Sequence, residues 1–161
     1  MQYKKVFLCL GSNIGKGKEN LSRALEYISA SSKIELVKCS SVYETKAWGF
    51  KEQPDFYNQV VEIQTDFSPM ELLYFCKTIE KKMGRKKTFK WSPRIIDLDI
   101  LLFDNIIVKS DVLEIPHKYL RERLFALVPL AELDSSIRLD GKGILELIAG
   151  LGGKDSVKLA N

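Results

Sequence analysis

A chain of 161 residues, 45% hydrophobic and 29% charged, has the composition of a soluble globular domain with a sizeable core, which excludes disordered and collagen-like classes. Its longest apolar runs, VFLCL and ILLF, fall far short of the roughly 20 residues that cross a bilayer, so neither a membrane span nor a signal peptide is expected. The formal net charge of +4 is mild, but Lys77, Lys81, Lys82, Arg85, Lys86, Lys87, Lys90 and Arg94 crowd one segment with Glu80 as its only acid, a composition that attracts anions.

Taken in order, Val6, Leu8 and Leu10 alternate with Phe7 and Cys9, which predicts a strand buried on both faces. GSNIGKGK then breaks it. Its spacing fails both the P-loop and the dinucleotide fingerprint, so it reads as a tight strand-to-helix turn, with Ser12 and Asn13 able to hydrogen-bond nearby groups. Leu21, Ala24, Leu25 and Ile28 follow helical spacing. IELVKCSSVYET, residues 34–45, and FYNQVVEIQT, residues 56–65, favour strands through β-branched and aromatic content, and KAWGFKEQPD between them is too long for a tight hairpin.

Ser68, Pro69 and Glu71 form a capping box that starts a second helix. Leu72, Leu73, Cys76, Ile79 and Met83 are its buried stripe, and Gly84 ends it. A basic loop, GRKKTFKWSPR, leads into the strand IIDLDILLF. This order predicts a single α+β domain over residues 1–161 with a ferredoxin-like antiparallel sheet, both helices on one face and the other face open to a ligand. Further on, DNIIVKSDVLEIPHKY reads as short strands and a turn, LRERLFALVPLAEL as a helical stretch broken at Pro129, and ILELIAGLGG as a last helix with a glycine stop.

Cys9, Cys39 and Cys76 lack close spacing and read as small core residues in a reducing cytosol. With His117 as the one histidine, a zinc set is not available, and a bound metal would need oxygen ligands. Asp97 and Asp99 supply them. In an extended strand Ile96, Leu98, Ile100 and Leu102 point to the core, while Ile95, Asp97, Asp99 and Leu101 point the other way, with the carboxylates about 7 Å apart. Paired acids beside a basic loop suit a polyphosphate held by Mg²⁺, as one or two ions.

Together LGSNIG, SSVYET, QPDFYNQVV, WSPRIIDLDILLF and IPHKYLRERLFALVPL, in that order, resemble the 6-hydroxymethyl-7,8-dihydropterin pyrophosphokinase family of folate biosynthesis. The resemblance implies transfer of pyrophosphate from ATP to the pterin's hydroxymethyl oxygen, releasing AMP. It also implies that Asp97 and Asp99 bind Mg²⁺, as two ions, and that Arg85 and Arg94 act with them in catalysis. Glu80, Lys87, Trp91, Arg94, Ile100, His117 and Arg123 would contact ATP. Phe56 and Phe125 would sandwich the pterin ring, Asn58 would read its polar edge, and backbone near Thr45 and Trp48 would assist. Ser92, Lys77 and Lys118 depart from the family pattern. A cytoplasmic monomer or weak homodimer acting on these small molecules, with no nucleic acid or membrane partner, is expected. The alternative is a single-stranded RNA-binding ferredoxin-like module, although two acids on its binding strand would repel phosphates.

Overall fold

The computed structural model describes residues 2–46, 54–84 and 94–160. Strand β1 (Lys4–Ser12) is buried from Val6 onward, as its two-sided apolar pattern requires of a central strand. The turn after it is braced by Asn20 from helix α1 (Gly17–Ser29), whose amide donates to Ser12 Oγ at 3.0 Å and to the Ile14 carbonyl at 2.8 Å. Leu21, Ala24 and Ile28 form the buried stripe of α1.

The predicted strand over residues 34–45 is two strands, β2 (Ile34–Cys39) and β3 (Tyr43–Thr45). Both pair with one edge of β4 (Phe56–Thr65), whose other edge is taken by β1 along nearly its whole length. Cys39 faces Val61 and Tyr43 faces Asn58, so four residue steps on one side (43 − 39) match three on the other (61 − 58). The extra residue is absorbed where Ser40 Oγ accepts the Val60 N–H at 3.0 Å in place of a regular ladder bond. A second register shift lies between Leu36 and Lys38, and Cys39, beyond it on the outer strand, is exposed. The expectation that every cysteine is a core residue therefore holds for Cys9 and Cys76 only.

Helix α2 (Pro69–Lys82) begins with the capping box the sequence predicts: Ser68 Oγ accepts the Glu71 N–H, and Glu71 Oε1 accepts the Ser68 N–H at 2.8 Å. Leu72, Cys76 and Ile79 are buried, and Gly84, at φ +89°, takes the left-handed conformation that ends the helix cheaply. Strand β5 (Asp97–Phe103) then pairs antiparallel with the free edge of β1. The result is a ferredoxin-like βαββαβ sheet with α1 and α2 on one face, enclosing Leu8, Leu10, Ile63, Leu72, Ile96 and Leu98.

Strand β5 departs from simple alternation at one point. Leu8 faces Ile100 and Phe7 faces Leu102, so Leu101 is an extra, bulged residue. Phe103, not the predicted Leu102, continues the first core, while Leu101 and Leu102 both turn to the opposite face.

The opposite face is not open along its length. After the hairpin of β6 (Val108–Lys109) and β7 (Glu114–Ile115), the chain makes a short 3-10 turn at Leu120–Glu122 and enters α3 (Leu124–Leu133). Helix α3 runs through Pro129 without the expected break; Ala126 through Leu130 are all buried, and that burial offsets the hydrogen bond Pro129 cannot donate. A small hairpin, β8 (Arg138–Leu139) and β9 (Lys142–Gly143), leads to α4 (Ile144–Leu151), which stops at Gly152 as predicted. Leu127, Leu130, Ile144 and Ile148 from these helices pack on Phe7, Cys9, Val60 and Leu101, forming a second core that covers one half of the face. Strand β10 (Lys158–Leu159) closes the edge of β3. Among the described residues no helix is long and apolar enough to cross a membrane.

Candidate active site

The half of the second face that the described residues leave uncovered lies where β1 ends and β4 and β5 begin, a coincidence that antiparallel pairing enforces. Gly11 sits in the middle, opposite Asn58 on one side and Asp97 on the other. A Cβ at Gly11 would stand 2.8 Å from Asn58 Oδ1, so only glycine leaves the Asn58 amide in place. Around this floor is a cleft lined by Cys9, Gly11, Thr45, Lys46, Phe56, Asn58, Arg94, Asp97, Asp99, Arg123 and Phe125. Asn58 Nδ2 reaches Thr45 Oγ1 at 3.4 Å, leaving the amide oxygen toward Gly11.

Asp97 and Asp99 both point into this cleft, because Leu98 between them is directed into the first core. The strand is pinned there from below: the buried carboxylate of Glu80 accepts the Leu98 N–H at 2.7 Å, and Lys77 Nζ lies 3.4 Å from its other oxygen. Arg94 Nη1 donates to Asp97 Oδ2 at 3.0 Å. Arg123 Nη1 and His117 Nε2 each lie 3.9 Å from Asp99 Oδ2. The Arg123 guanidinium also stacks toward the rings of Tyr119 and Phe125, with its carbon 5.0 and 5.4 Å from their centroids.

Burial, and then the neighbouring Asp97 charge, push the Asp99 carboxyl up to about 7 despite the opposing pull of Arg123. His117 moves the other way. Burial and then Arg123 lower it to about 4, so it is neutral at physiological pH. Its Nδ1 accepts the Tyr119 N–H at 3.1 Å, which places the proton on Nε2, the atom directed at Asp99.

Asp99 also lines a second cleft, with Leu73, Leu98, Ile100, Leu113, His117, Lys118 and Tyr119 among its walls. The two clefts thus meet at one carboxylate. Among the described residues no group of three or more His, Cys, Asp or Glu side chains is arranged to hold a metal, so a divalent cation here would draw its remaining ligands from water and substrate. The pair of hard carboxylate oxygens fits Mg²⁺ on those terms; buried Cys9, its thiol pushed up by burial and then by Asp99, is a poor competitor for it.

Of the residues singled out in the sequence, Thr45, Phe56, Asn58, Arg94, Asp97, Asp99, Arg123 and Phe125 meet in the first cleft, and Ile100 and His117 line the second. Glu80 lines neither; both its oxygens are engaged beneath β5. Trp48, Arg85, Lys87 and Trp91 lie outside the described residues.

Sequence reasoning gave Asn13 a hydrogen-bonding role but not its partners. Its backbone N–H donates to the Arg94 carbonyl at 3.0 Å, its Oδ1 accepts the Arg94 N–H at 2.8 Å, and its Nδ2 donates to the Pro54 carbonyl at 3.1 Å. One buried side chain therefore joins β1 to the described ends of both long loops. The polar GSN directly after an apolar strand was the available signal, but its partners lie far away in sequence.

The family model for 7,8-dihydro-6-hydroxymethylpterin-pyrophosphokinase matches residues 7–135. The chain belongs to this pyrophosphokinase family. The 2-amino-4-hydroxy-6-hydroxymethyldihydropteridine pyrophosphokinase of Aquifex aeolicus is 42% identical over 132 residues, covering 82% of this chain and 81% of that protein. The protein of the same name from Haemophilus influenzae is 39% identical over 154 residues, covering 95% and 96% of the two. Among solved structures, Plasmodium falciparum HPPK-DHPS with pteroate superposes with a TM-score of 0.72 at 16% identity, over 92% of this chain and 42% of that one. This chain therefore spans less than half of that solved chain, and the likeness shows the fold alone. None of these matches supports the RNA-binding alternative.

Proposed function

We propose that residues 1–161 act as one pyrophosphokinase domain in which the first cleft takes 6-hydroxymethyl-7,8-dihydropterin, the second takes ATP, and Asp97 and Asp99 hold Mg²⁺, as two ions, between them. The observation that carries this reading is that Asp99 lines both clefts, so an alcohol in one and a phosphate chain in the other would meet at its carboxylate. Phe56 and Phe125 flank the first cleft as flat apolar walls for a heteroaromatic ring, and the Asn58 amide offers both a donor and an acceptor to its edge. Trp48 would add to this side, and Arg85, Lys87 and Trp91 to the phosphate side.

Mg²⁺ held by the carboxylates would neutralise the triphosphate and lower the acidity barrier of the attacking alcohol. The chain's own contribution is positioning. Arg94 and Arg123, each beside one of the aspartates, would meet the negative charge that gathers on the α- and β-phosphate oxygens as AMP leaves. His117, neutral with its Nε2 proton directed at Asp99 where the two clefts meet, would serve as a donor rather than a base. Glu80 supports the site from beneath by fixing the Leu98 backbone between the two aspartates. The protein is proposed to work in the cytoplasm as a monomer or weak homodimer.

Phosphorus NMR of the protein with ATP and the hydroxymethyl pterin tests the reading. AMP and a pterin diphosphate are expected with Mg²⁺, and neither with a chelator present. ADP, or no pterin product from folded protein, overturns it.

A further inference from the structure

The two walls of the first cleft come from parts of the chain eighty residues apart (125 − 45), and one carboxylate outside the cleft ties them together. Thr45 stands at the end of β3, a strand of only three residues that follows the break at Ser40. Phe125 stands in the first turn of α3. At the other end of α3, Glu132 Oε1 accepts the Tyr43 hydroxyl at 2.5 Å, and its Oε2 accepts the Ser41 N–H at 2.8 Å and the Ser41 hydroxyl at 3.2 Å.

These contacts run parallel to the cleft. Glu132 follows Phe125 by seven residues (132 − 125), which on a helix is two turns less about 20°, so both project from the same side of α3. Tyr43 and Thr45 are two apart on a strand and share a face of β3. The Tyr43–Glu132 bond is thus one rung of a ladder between β3 and α3, and the next rung is the space between Thr45 and Phe125 where the ligand would lie.

We propose that Glu132 is a positioning residue that sets the width of the pterin cleft by latching β3 to α3. The inference rests on the assignment of the first cleft to the pterin. Helix α3 does not need Glu132 in order to pack, since Ala126, Leu127, Val128 and Leu130 are buried in the second core while Glu132 itself is exposed. Strand β3 does need an outside hold. Its ladder to β4 covers just Tyr43, Glu44 and Thr45, and among the described residues its other edge meets only the short β10. A carboxylate gathering three donors from Ser41 and Tyr43 is the group that fixes where this strand stands relative to the helix. The Tyr43 hydroxyl keeps its proton for that bond, its pKa pushed up to about 12 by burial and then by the hydrogen bond to Glu132.

The test is binding of 6-hydroxymethylpterin, followed by its fluorescence, with Mg²⁺ and a non-hydrolysable ATP analogue present, alongside binding of the analogue alone. Glu132→Ala is expected to weaken pterin binding about tenfold and to leave analogue binding within about twofold. Glu132→Gln keeps a carbonyl acceptor for Tyr43 and should recover most of the loss. Tyr43→Phe should weaken binding alone but add little on top of Glu132→Ala, the non-additivity of partners in one bond. Unchanged pterin binding in Glu132→Ala, or equal weakening of pterin and nucleotide, overturns the latch. Should Glu132→Ala fail to fold, Glu132→Gln and Tyr43→Phe carry the same comparison. Wild-type protein that is folded and binds the analogue but no pterin would remove the cleft assignment, and the latch with it, a result distinct from a failure of the latch alone.

Discussion

The two faces of one sheet have opposite tasks here, and β5 shows it within a few residues. Ile96, Leu98 and Ile100 enter a core closed by α1 and α2, whereas Asp97 and Asp99, the residues between them, look into an open cleft. The first face is finished when it is packed. Among the described residues the second is packed only over the half beneath α3 and α4, and its remaining half keeps charged groups together at a cost in stability. Substitutions should therefore separate cleanly into those that lower stability and those that lower turnover.

The largest effect is expected at the carboxylates. Asp97→Asn or Asp99→Asn should lower turnover about a thousandfold, equivalent to roughly 4 kcal/mol of transition-state stabilisation, with circular dichroism unchanged. Activity near wild type in either variant would break the contrast between the faces. The same substitution should move stability the opposite way. Asp99 has a folded-state pKa of about 7 against an ordinary 3.8, so it takes up a proton on folding between those values. Its favourable contribution is complete below about pH 4 and is lost as pH rises through 7. With a chelator present, Asp99→Asn should melt above wild type at pH 8 and converge with it toward pH 4. A melting difference that is absent at pH 8, or grows toward pH 4, would contradict the assigned direction.

Next comes the closed face. Leu8 is fully buried in the first core and lines neither cleft, so Leu8→Ala should cost about 3 kcal/mol, or a fall in Tm of roughly 6–12 °C. At a temperature where the variant is folded, KM for both substrates should stay within about twofold of wild type. A large change in KM without a change in Tm would mean that the two faces are not separable.

How far the sequence carried this contrast depends on the range of the forces involved. The common face of Asp97 and Asp99 follows from alternation along a single strand, and the capping box of α2 from residues three apart, so both were legible. Leu102 was placed on the wrong face because the bulge at Leu101 is set by pairing with β1, which no pattern within β5 encodes. The break at Ser40 and the exposure of Cys39 have the same origin in pairing to β4. That α3 would cover half of the second face, and run through Pro129 while doing so, is a packing outcome: the apolar LFALVPLAEL announces burial without saying against what. The meeting of the two clefts at Asp99 depends on residues from β1, β4, β5 and the segment before α3, and only the resemblance brought them together in advance.

Smaller still, and placed on the border between the two faces, is the effect expected of Asn13. Its side chain holds Arg94 and Pro54, the described ends of both long loops, without lining either cleft. Asn13→Ala removes an acceptor and a donor at a buried position, so roughly 1–2 kcal/mol of stability and about a tenfold fall in kcat/KM are expected. Asn13→Asp distinguishes the two bonds, since a carboxylate still accepts the Arg94 N–H but cannot donate to the Pro54 carbonyl. If the hold on Arg94 is what serves catalysis, by keeping its guanidinium against Asp97, Asn13→Asp should retain most of the activity that Asn13→Ala loses. Equal losses in the two variants would instead assign the effect to the Pro54 side, and so to the wall that carries Phe56.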